Sequence, residues 1–306
     1  MPEPLRPGFE RFPRKVTREE IPDPVWDALA RAEDTSAIYL LMIMPPQAYA
    51  VSRRNWRRYL PFGWRHTPPR WLAFGACQVT LVEAAPDSPI QTTVIPYEAI
   101  LDLQLVSVLL YAYLEFVWLT PTGVEHTRIE FNFVGERLVK SGLEHLRATL
   151  RVGLRQRDPV VPPAAMADLP LKFRNYLRLS LLPGEPLLDV VYQPAVRQSE
   201  TRLRRYLSPN RALALTDHAV IVIEEDHPQS HRDYMMVQRH YPLTHLQSAL
   251  FTGADPTWLR LWLGERTNGE EVRLPLEPAA AAVLRDAFAP WIVTQQAVRN
   301  LVSEPL

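Results

Sequence analysis

Arginine and aromatic residues are interleaved in one segment of the sequence, and their chemistry suits the binding of phosphate groups. From Arg53 to Val82 the chain holds six arginines and neither aspartate nor glutamate. A guanidinium binds a phosphate through two parallel N–H groups, and an amphipathic aromatic ring suits the headgroup level of a membrane. We therefore predict that this segment binds an anionic membrane surface or a phosphate-bearing ligand. The alternative is that it forms a solvated rim of the strands, whose positive charge is balanced by acidic residues elsewhere in the chain. The candidate residues are Arg53, Arg54, Trp56, Arg57, Arg58, Tyr59 and Arg65.

A second arginine-rich segment lies in the other half of the sequence. It begins at Arg197, and Glu200 opposes its positive charge. We expect the same kind of ligand here, because the residue types are the same. The candidate residues are Arg202, Arg204 and Arg205.

Two tryptophans flank an arginine on what we predict to be one face of a strand. Trp258, Arg260 and Trp262 alternate with leucines, and such a face lowers solubility unless something covers it. The corresponding position to Arg260 in the first half is Glu115, which has the opposite charge. We hypothesise that two domains pack face to face, with Glu115 near Arg260. The alternative is that the N-terminal arm or the C-terminal tail covers this face. Under either hypothesis the face has a structural role and does not bind a ligand.

Signals for metal binding and catalysis are weak. The sequence contains no glycine-rich phosphate loop, nucleophile elbow, zinc-protease motif or cysteine pair, so we predict a non-enzymatic protein without a cofactor. Cys77, the single cysteine, is predicted to be a buried hydrophobic residue. One acidic and histidine-containing segment is predicted to be a hairpin loop, where spacing does not align the imidazoles, so no metal site is predicted. Its residues are Glu224, Glu225, Asp226, His227, His231 and Asp233.

The chain contains an internal repeat. Residues 70–83 align with residues 211–224, and five of the fourteen pairs are identical. Further matches recur at nearly the same offset, which is about 145 residues and too long for a solenoid, whose units are about 20–50 residues. The repeat therefore predicts two tandem copies of one domain.

The repeat and the change in composition set the domain boundaries. We predict an N-terminal arm that docks through Val25, Trp26 and Leu29, a proline-rich linker and a C-terminal helical tail. Period-two alternation predicts strands in each copy, and an apolar stripe from Val139 to Leu154 predicts an amphipathic helix at the end of the first copy. The predicted segments are the arm 1–37, domain 38–156, linker 157–171, domain 172–292 and tail 293–306.

The bulk properties limit the class of protein. The formal net charge is zero, with 34 basic and 34 acidic residues, which argues against a general nucleic-acid binder. The N-terminus lacks the apolar core of a signal peptide. The most apolar stretch, residues 100–119, contains Asp102, Gln104 and Glu115, so it is predicted to form strands and not a membrane span.

The repeat units resemble pleckstrin-homology-like (PH-like and GRAM-like) domains of bacteria. Residues 211–224 resemble a hairpin of these domains, residues 182–185 the segment before their first strand, and residues 241–246 a later strand. In the first copy Gly75 and Ala76 replace the Thr-Asp of that hairpin. The resemblance implies a mainly β (α+β) fold of two tandem barrels or sandwiches, each closed by a C-terminal helix. It also implies binding of membranes, inositol lipids or protein segments, with basic residues between the first two strands holding phosphates.

Together these observations predict a cytoplasmic scaffold, peripheral at the inner membrane face, that docks on an anionic surface. The alternative is a protein–protein adapter without a lipid ligand, which uses an open sheet edge or a groove beside the helix. The sequence leaves the oligomeric state open.

Overall fold

The computed structural model describes residues 11–50, 64–86, 88–108, 110–151, 166–197, 206–225, 235–254, 256–265 and 267–292. These residues are mainly β and form antiparallel sheets, which confirms the predicted class. The strands are β1 Arg14–Lys15, β2 Leu40–Met44, β3 Ala48–Ala50, β4 Trp64–His66, β5 Arg70–Phe74, β6 Gln78–Glu83, β7 Gln91–Pro96, β8 Ile100–Val108, β9 Tyr111–Thr120, β10 Gly123–Asn132, β11 Leu187–Gln193, β12 Arg211–Thr216, β13 Ala219–Glu225, β14 Met235–Pro242, β15 Leu246–Thr252, β16 Thr257–Gly264 and β17 Gly269–Leu276. The helices are α1 Asp23–Ala32, α2 Glu136–Arg151, α3 Leu171–Ser180 and α4 Pro278–Ala287.

The order of elements repeats along the chain. In the first half, β2, β5, β6 and β7 pair in sequence, then β8, β9 and β10, and α2 follows. In the second half, β11 to β14 pair in sequence, then β15, β16 and β17, and α4 follows. Each half therefore supplies four strands, three strands and a helix, with β3 and β4 as an additional pair in the first half.

One seven-stranded sheet contains strands of both halves. Its order is β10-β9-β8-β14-β13-β12-β11, and β8 pairs antiparallel with β14. Because of this pairing, one compact unit contains Ile100–Val108 and Leu114–Thr127 together with Gly153–Leu306. The other compact unit contains Met1–Ala99, Leu109–Tyr113 and Arg128–Val152.

The sheets are open. In the described part of the chain, the five-stranded sheet ends at β1 and β7, and the seven-stranded sheet ends at β10 and β11. The expected closed barrels are therefore not formed by these strands, since β8 uses its free edge to pair with β14. None of the described helices is long and apolar enough to cross a membrane.

The N-terminal segment packs on the five-stranded sheet of the first unit. β1 pairs with β2, and α1 buries Val25 and Leu29 in a cluster with Trp71 and Val82. Trp26 is half-buried at the edge of that cluster, with the Arg18 guanidinium 5.0 Å from its ring centroid. Burying these apolar side chains anchors the segment.

Helix α2 contributes apolar side chains to the first unit. α2 buries Val139, Leu143 and Leu146. Gly142 lies against the Phe74 ring, which a Cβ atom at this position would overlap.

Cys77 is exposed, so its predicted burial is wrong. The reason is that Cys77 lies in the turn between β5 and β6, which is closed by a hydrogen bond from Gly75 N to Gln78 O.

The second unit has apolar clusters on both faces of its sheet. On one face, Phe173 and Leu177 of α3 pack with Ile221 of β13. On the other face, residues of β12 and β13 pack with Leu259, Leu261 and Leu263 of β16 and with Ala281 and Leu284 of α4. Strands buried on both faces explain the nearly continuous apolar runs of β12 and β13.

A cross-strand arginine–glutamate pair occurs at aligned positions of the two repeats. Arg70 pairs in register with Glu83 on β6, and Arg211 pairs in register with Glu224 on β13, with a 3.0 Å ion pair. Arg70 also contacts Glu130 of β10, with 2.9 Å between Nη1 and Oε2. Both arginines are buried, so their charges must be compensated inside the fold.

Replacing Arg70 by methionine is expected to lower the free energy of unfolding by about 3–5 kcal/mol, because the buried Glu130 would lose its 2.9 Å contact with a guanidinium, while Arg128 Nε lies 3.9 Å from it. Urea denaturation followed by circular dichroism measures this loss. The double variant Arg70→Met/Glu130→Leu should recover much of it, since the buried carboxylate is removed together with the guanidinium. A loss below about 1 kcal/mol in the single variant, on the scale of an exposed ion pair, would show that the pair is not needed.

Candidate functional site

The first arginine-rich segment connects β3 to β4. Six of its candidates, Arg53, Arg54, Trp56, Arg57, Arg58 and Tyr59, lie within residues 51–63, outside the described residues. The backbone of Arg65 lies in β4 and pairs with Tyr49. Ala50 and Trp64 are also a cross-strand pair, so the chain leaves and re-enters the described structure at neighbouring positions.

The second arginine-rich segment has a related arrangement. Arg202, Arg204 and Arg205 lie outside the described residues, but Arg197 and Tyr206 on either side form an antiparallel bridge. The exposed Arg197 guanidinium stacks on the half-buried Tyr206 ring at 4.5 Å from the centroid. In both repeats an arginine-rich connection therefore lies between the first two of the four strands that pair in sequence, which are called the four-stranded set. The residues at the two ends of each connection pair with each other.

The tryptophan-bearing strand is β16. Trp258, Arg260 and Trp262 are half-buried, whereas the leucines between them are fully buried. Arg260 forms an ion pair with Glu271 of β17, and Glu115 lies 3.5 Å from His126 Nδ1. Each charge thus has another partner, and the approach of Glu115 to Arg260 stays a prediction.

Glu271 lies between two guanidinium groups. Its carboxylate accepts hydrogen bonds from Arg260 Nε and from Arg273 Nε, the second at 2.6 Å. Partial burial by itself raises the pKa of this carboxyl, but the two guanidiniums together hold the pKa of Glu271 below its ordinary value. This cluster orders the outer face of β16 and β17.

A buried cluster of two carboxylates and an imidazole lies beside the β12–β13 turn. His218 Nδ1 is 2.9 Å from Asp217 Oδ1 and 3.4 Å from Glu185 Oε1, and all three side chains are nearly inaccessible. One oxygen atom from each carboxylate and one imidazole nitrogen lie within 4.8 Å of one another. Carboxylate and imidazole together form a ligand set that transition metals accept.

The same residues also have local structural roles. Glu185 Oε2 accepts a 2.6 Å hydrogen bond from Leu182 N, which closes the turn before β11. Asp217 and His218 form the turn in which Ala219 N donates to Thr216 Oγ1 at 3.0 Å. The sequence showed these residues only as turn residues, because Glu185 and Asp217 are far apart in the chain and meet only in the fold.

The acidic segment considered for metal binding is divided by the structure. Glu224 pairs with Arg211, and Glu225 contacts Lys172 at 3.2 Å. Asp226, His227, His231 and Asp233 lie outside the described residues. The two described glutamates therefore serve ion pairs of the sheet.

A second buried polar cluster crosses the seven-stranded sheet. Asp102 of β8 lies 4.0 Å from Arg239 Nη1 of β14, and Arg239 donates to Tyr241 Oη at 3.2 Å. Burial raises the pKa of Asp102 to about 7, and it also raises the pKa of Tyr241. In the sequence, Asp102 stood out only as a charge that argues against a membrane span.

No protein-family model and no curated protein matches this chain. Its function must therefore be argued from the residues and from the geometry described above.

Replacing Arg260 by glutamine is expected to lower the free energy of unfolding at neutral pH by up to about 1 kcal/mol, because the pair is partly exposed. The pKa of Glu271 is lowered in the folded protein, so its contribution is present at neutral pH and is lost as the pH falls through that lowered pKa. The difference between the two proteins should be smaller at an acidic pH, where Glu271 gains its proton, than at neutral pH, as measured by urea denaturation. The exposed Arg178→Gln is the matched control, and an equal loss at both pH values would contradict this role of Glu271.

Proposed function

We propose that this protein is a non-enzymatic binding scaffold that docks on an anionic membrane surface. In this proposal the chain contains two repeats of the pleckstrin-homology-like type, and each repeat presents an arginine-rich connection between its first two strands. Arg53, Arg54, Arg57 and Arg58 would bind phosphate groups, with Trp56 and Tyr59 at the headgroup level.

The repeated position of the arginine-rich connections carries this proposal. Cross-strand contacts hold both ends of each connection, at Ala50 with Trp64 and at Arg197 with Tyr206. Such pairing brings the two ends of each connection close together. Loops positioned by a rigid scaffold commonly carry binding residues.

Electrostatics would supply most of the affinity. Each arginine near an anionic membrane contributes about 1 kcal/mol, and salt screens this attraction. The chain has a formal net charge of zero, so a local excess of arginine and not the overall charge would drive docking. At the ends of the second connection the Arg197 guanidinium stacks on the Tyr206 ring, so a cation and an amphipathic ring lie side by side there.

A protein–protein adapter is the second candidate. β7 ends the five-stranded sheet, and Gln91 and Thr92 on it are exposed. An extended segment of a partner could add a strand at such an edge through backbone hydrogen bonds. Binding of this kind would depend little on salt, which distinguishes it from the electrostatic mechanism.

Flotation with lipid vesicles tests the membrane proposal. The full chain should bind vesicles that contain phosphatidylserine but not pure phosphatidylcholine, and binding should weaken from low to physiological salt. The variant Arg53→Ala/Arg54→Ala/Arg57→Ala/Arg58→Ala should bind on the order of 100- to 1000-fold more weakly, at about 1 kcal/mol for each arginine.

The matched control changes four exposed arginines outside the two connections, one on each described helix. Replacing them by alanine alters the net charge by the same amount as the test variant, and the residues are Arg31, Arg137, Arg178 and Arg285. The control should retain binding. Failure of the unmodified chain to bind either vesicle would overturn the membrane proposal, and equal losses in both variants would overturn the assignment to this segment.

A further inference from the structure

The pairing of β8 with β14 places a carboxyl group inside the sheet that joins the two repeats. Leu103 of β8 pairs with His240 of β14, and Asp102 is the residue just before this pair. The Asp102 side chain is 5% exposed. Its Oδ2 atom lies 4.0 Å from Arg239 Nη1, which is too long for a hydrogen bond, and Oδ1 has no hydrogen-bond partner among the described residues.

The charges around Asp102 oppose its ionisation. Arg239 attracts the ionised carboxylate from β14, whereas carboxylates repel it from three other strands. They are Glu115 on β9, Glu224 on β13 and Glu270 on β17.

Two of these carboxylates, Tyr241 and His240 have other surroundings in this region. Glu224 is paired with Arg211 on β12, and Glu115 lies near His126 on β10. Tyr241 accepts a hydrogen bond from Arg239. His240 alternates with Arg239 and Tyr241 along β14, so it lies on the other face of the sheet. The cation that faces Asp102 is thus Arg239, at a distance that leaves the ionised carboxylate poorly compensated.

We propose that Asp102 is the proton-binding residue of a pH-sensitive joint between β8 and β14. A neutral carboxyl group needs no counter-charge in the interior, whereas an ionised one there needs close partners. With the proton bound, β8 and β14 pair without an uncompensated charge. When the proton leaves, Asp102 joins the three surrounding carboxylates and the pairing weakens.

The direction of the effect follows from proton linkage. In an unfolded chain an aspartate loses its proton near about pH 4, whereas burial holds the pKa of Asp102 at about 7 in the folded sheet. The folded protein therefore binds one proton more between about pH 4 and about pH 7, and its stability falls as the pH rises through this window. Above about pH 7 the loss is complete and stays constant.

The decisive comparison is between the full chain and Asp102→Asn, which resembles the protonated residue at every pH. The unfolding equilibrium constant of the unmodified chain, relative to that of Asp102→Asn, should rise about 100-fold from about pH 5 to about pH 8, because each unit of pKa shift corresponds to a factor of ten. Amide hydrogen exchange, corrected for its intrinsic pH dependence, should show the loss of protection in β8 and β14. The exposed Asp27→Asn is the control and should retain the pH dependence of the unmodified chain.

A direct titration keeps the proposal testable even where Asp102→Asn does not fold. The carboxyl carbon signal of Asp102, identified by NMR in the unmodified chain, should have its midpoint within about one unit of pH 7. A midpoint below about pH 5 would overturn the proposal, since the charge is then compensated. The same pH dependence in Asp102→Asn as in the unmodified chain would also overturn it.

Discussion

A buried arginine that faces a glutamate across a hairpin is the interaction on which both halves of this fold depend. Arg70 with Glu83 and Arg211 with Glu224 fix the register of the second and third strands of each four-stranded set. A shift by one residue would place these charges on the wrong face of the strand, where the apolar core could not compensate them. The apolar pairs between these charged pairs, such as Leu213 with Val222, then form in the same register.

The two arginine–glutamate pairs differ in their surroundings. Arg70 contacts Glu130 in addition to Glu83, whereas Arg211 Nε and Nη1 have no hydrogen-bond partner among the described residues. Near Arg211 lie Arg239 and, beyond it, Asp102 of β8, so incompletely paired charges gather where the second half meets β8, whereas Arg70 contacts two carboxylates. The two hairpins thus share the same register, while the buried polar groups around them are arranged differently.

Local patterns in the sequence predicted what side-chain periodicity controls. The alternation of tryptophan and leucine in β16 and the apolar stripe of α2 both correspond to buried faces. The pairing of β8 with β14 could not be predicted, because it joins backbone groups of distant strands and leaves no periodic signal. The cluster around Glu185 and His218 was missed for the same reason, since residues far apart in the chain meet only in the fold. Cys77 was misplaced because it belongs to the turn that ends just before β6 and not to the strand itself.

The shared sheet also limits how this chain can evolve. Tandem domains that fold separately can be exchanged, lost or fused to new neighbours, because each keeps its own complete surface. Here a cut between the halves would leave β8 and β14 with unpaired backbone edges. Exposed edges of this kind invite pairing with other copies. The pairing of β8 with β14 therefore makes the two halves depend on each other, although an internal repeat aligns their sequences.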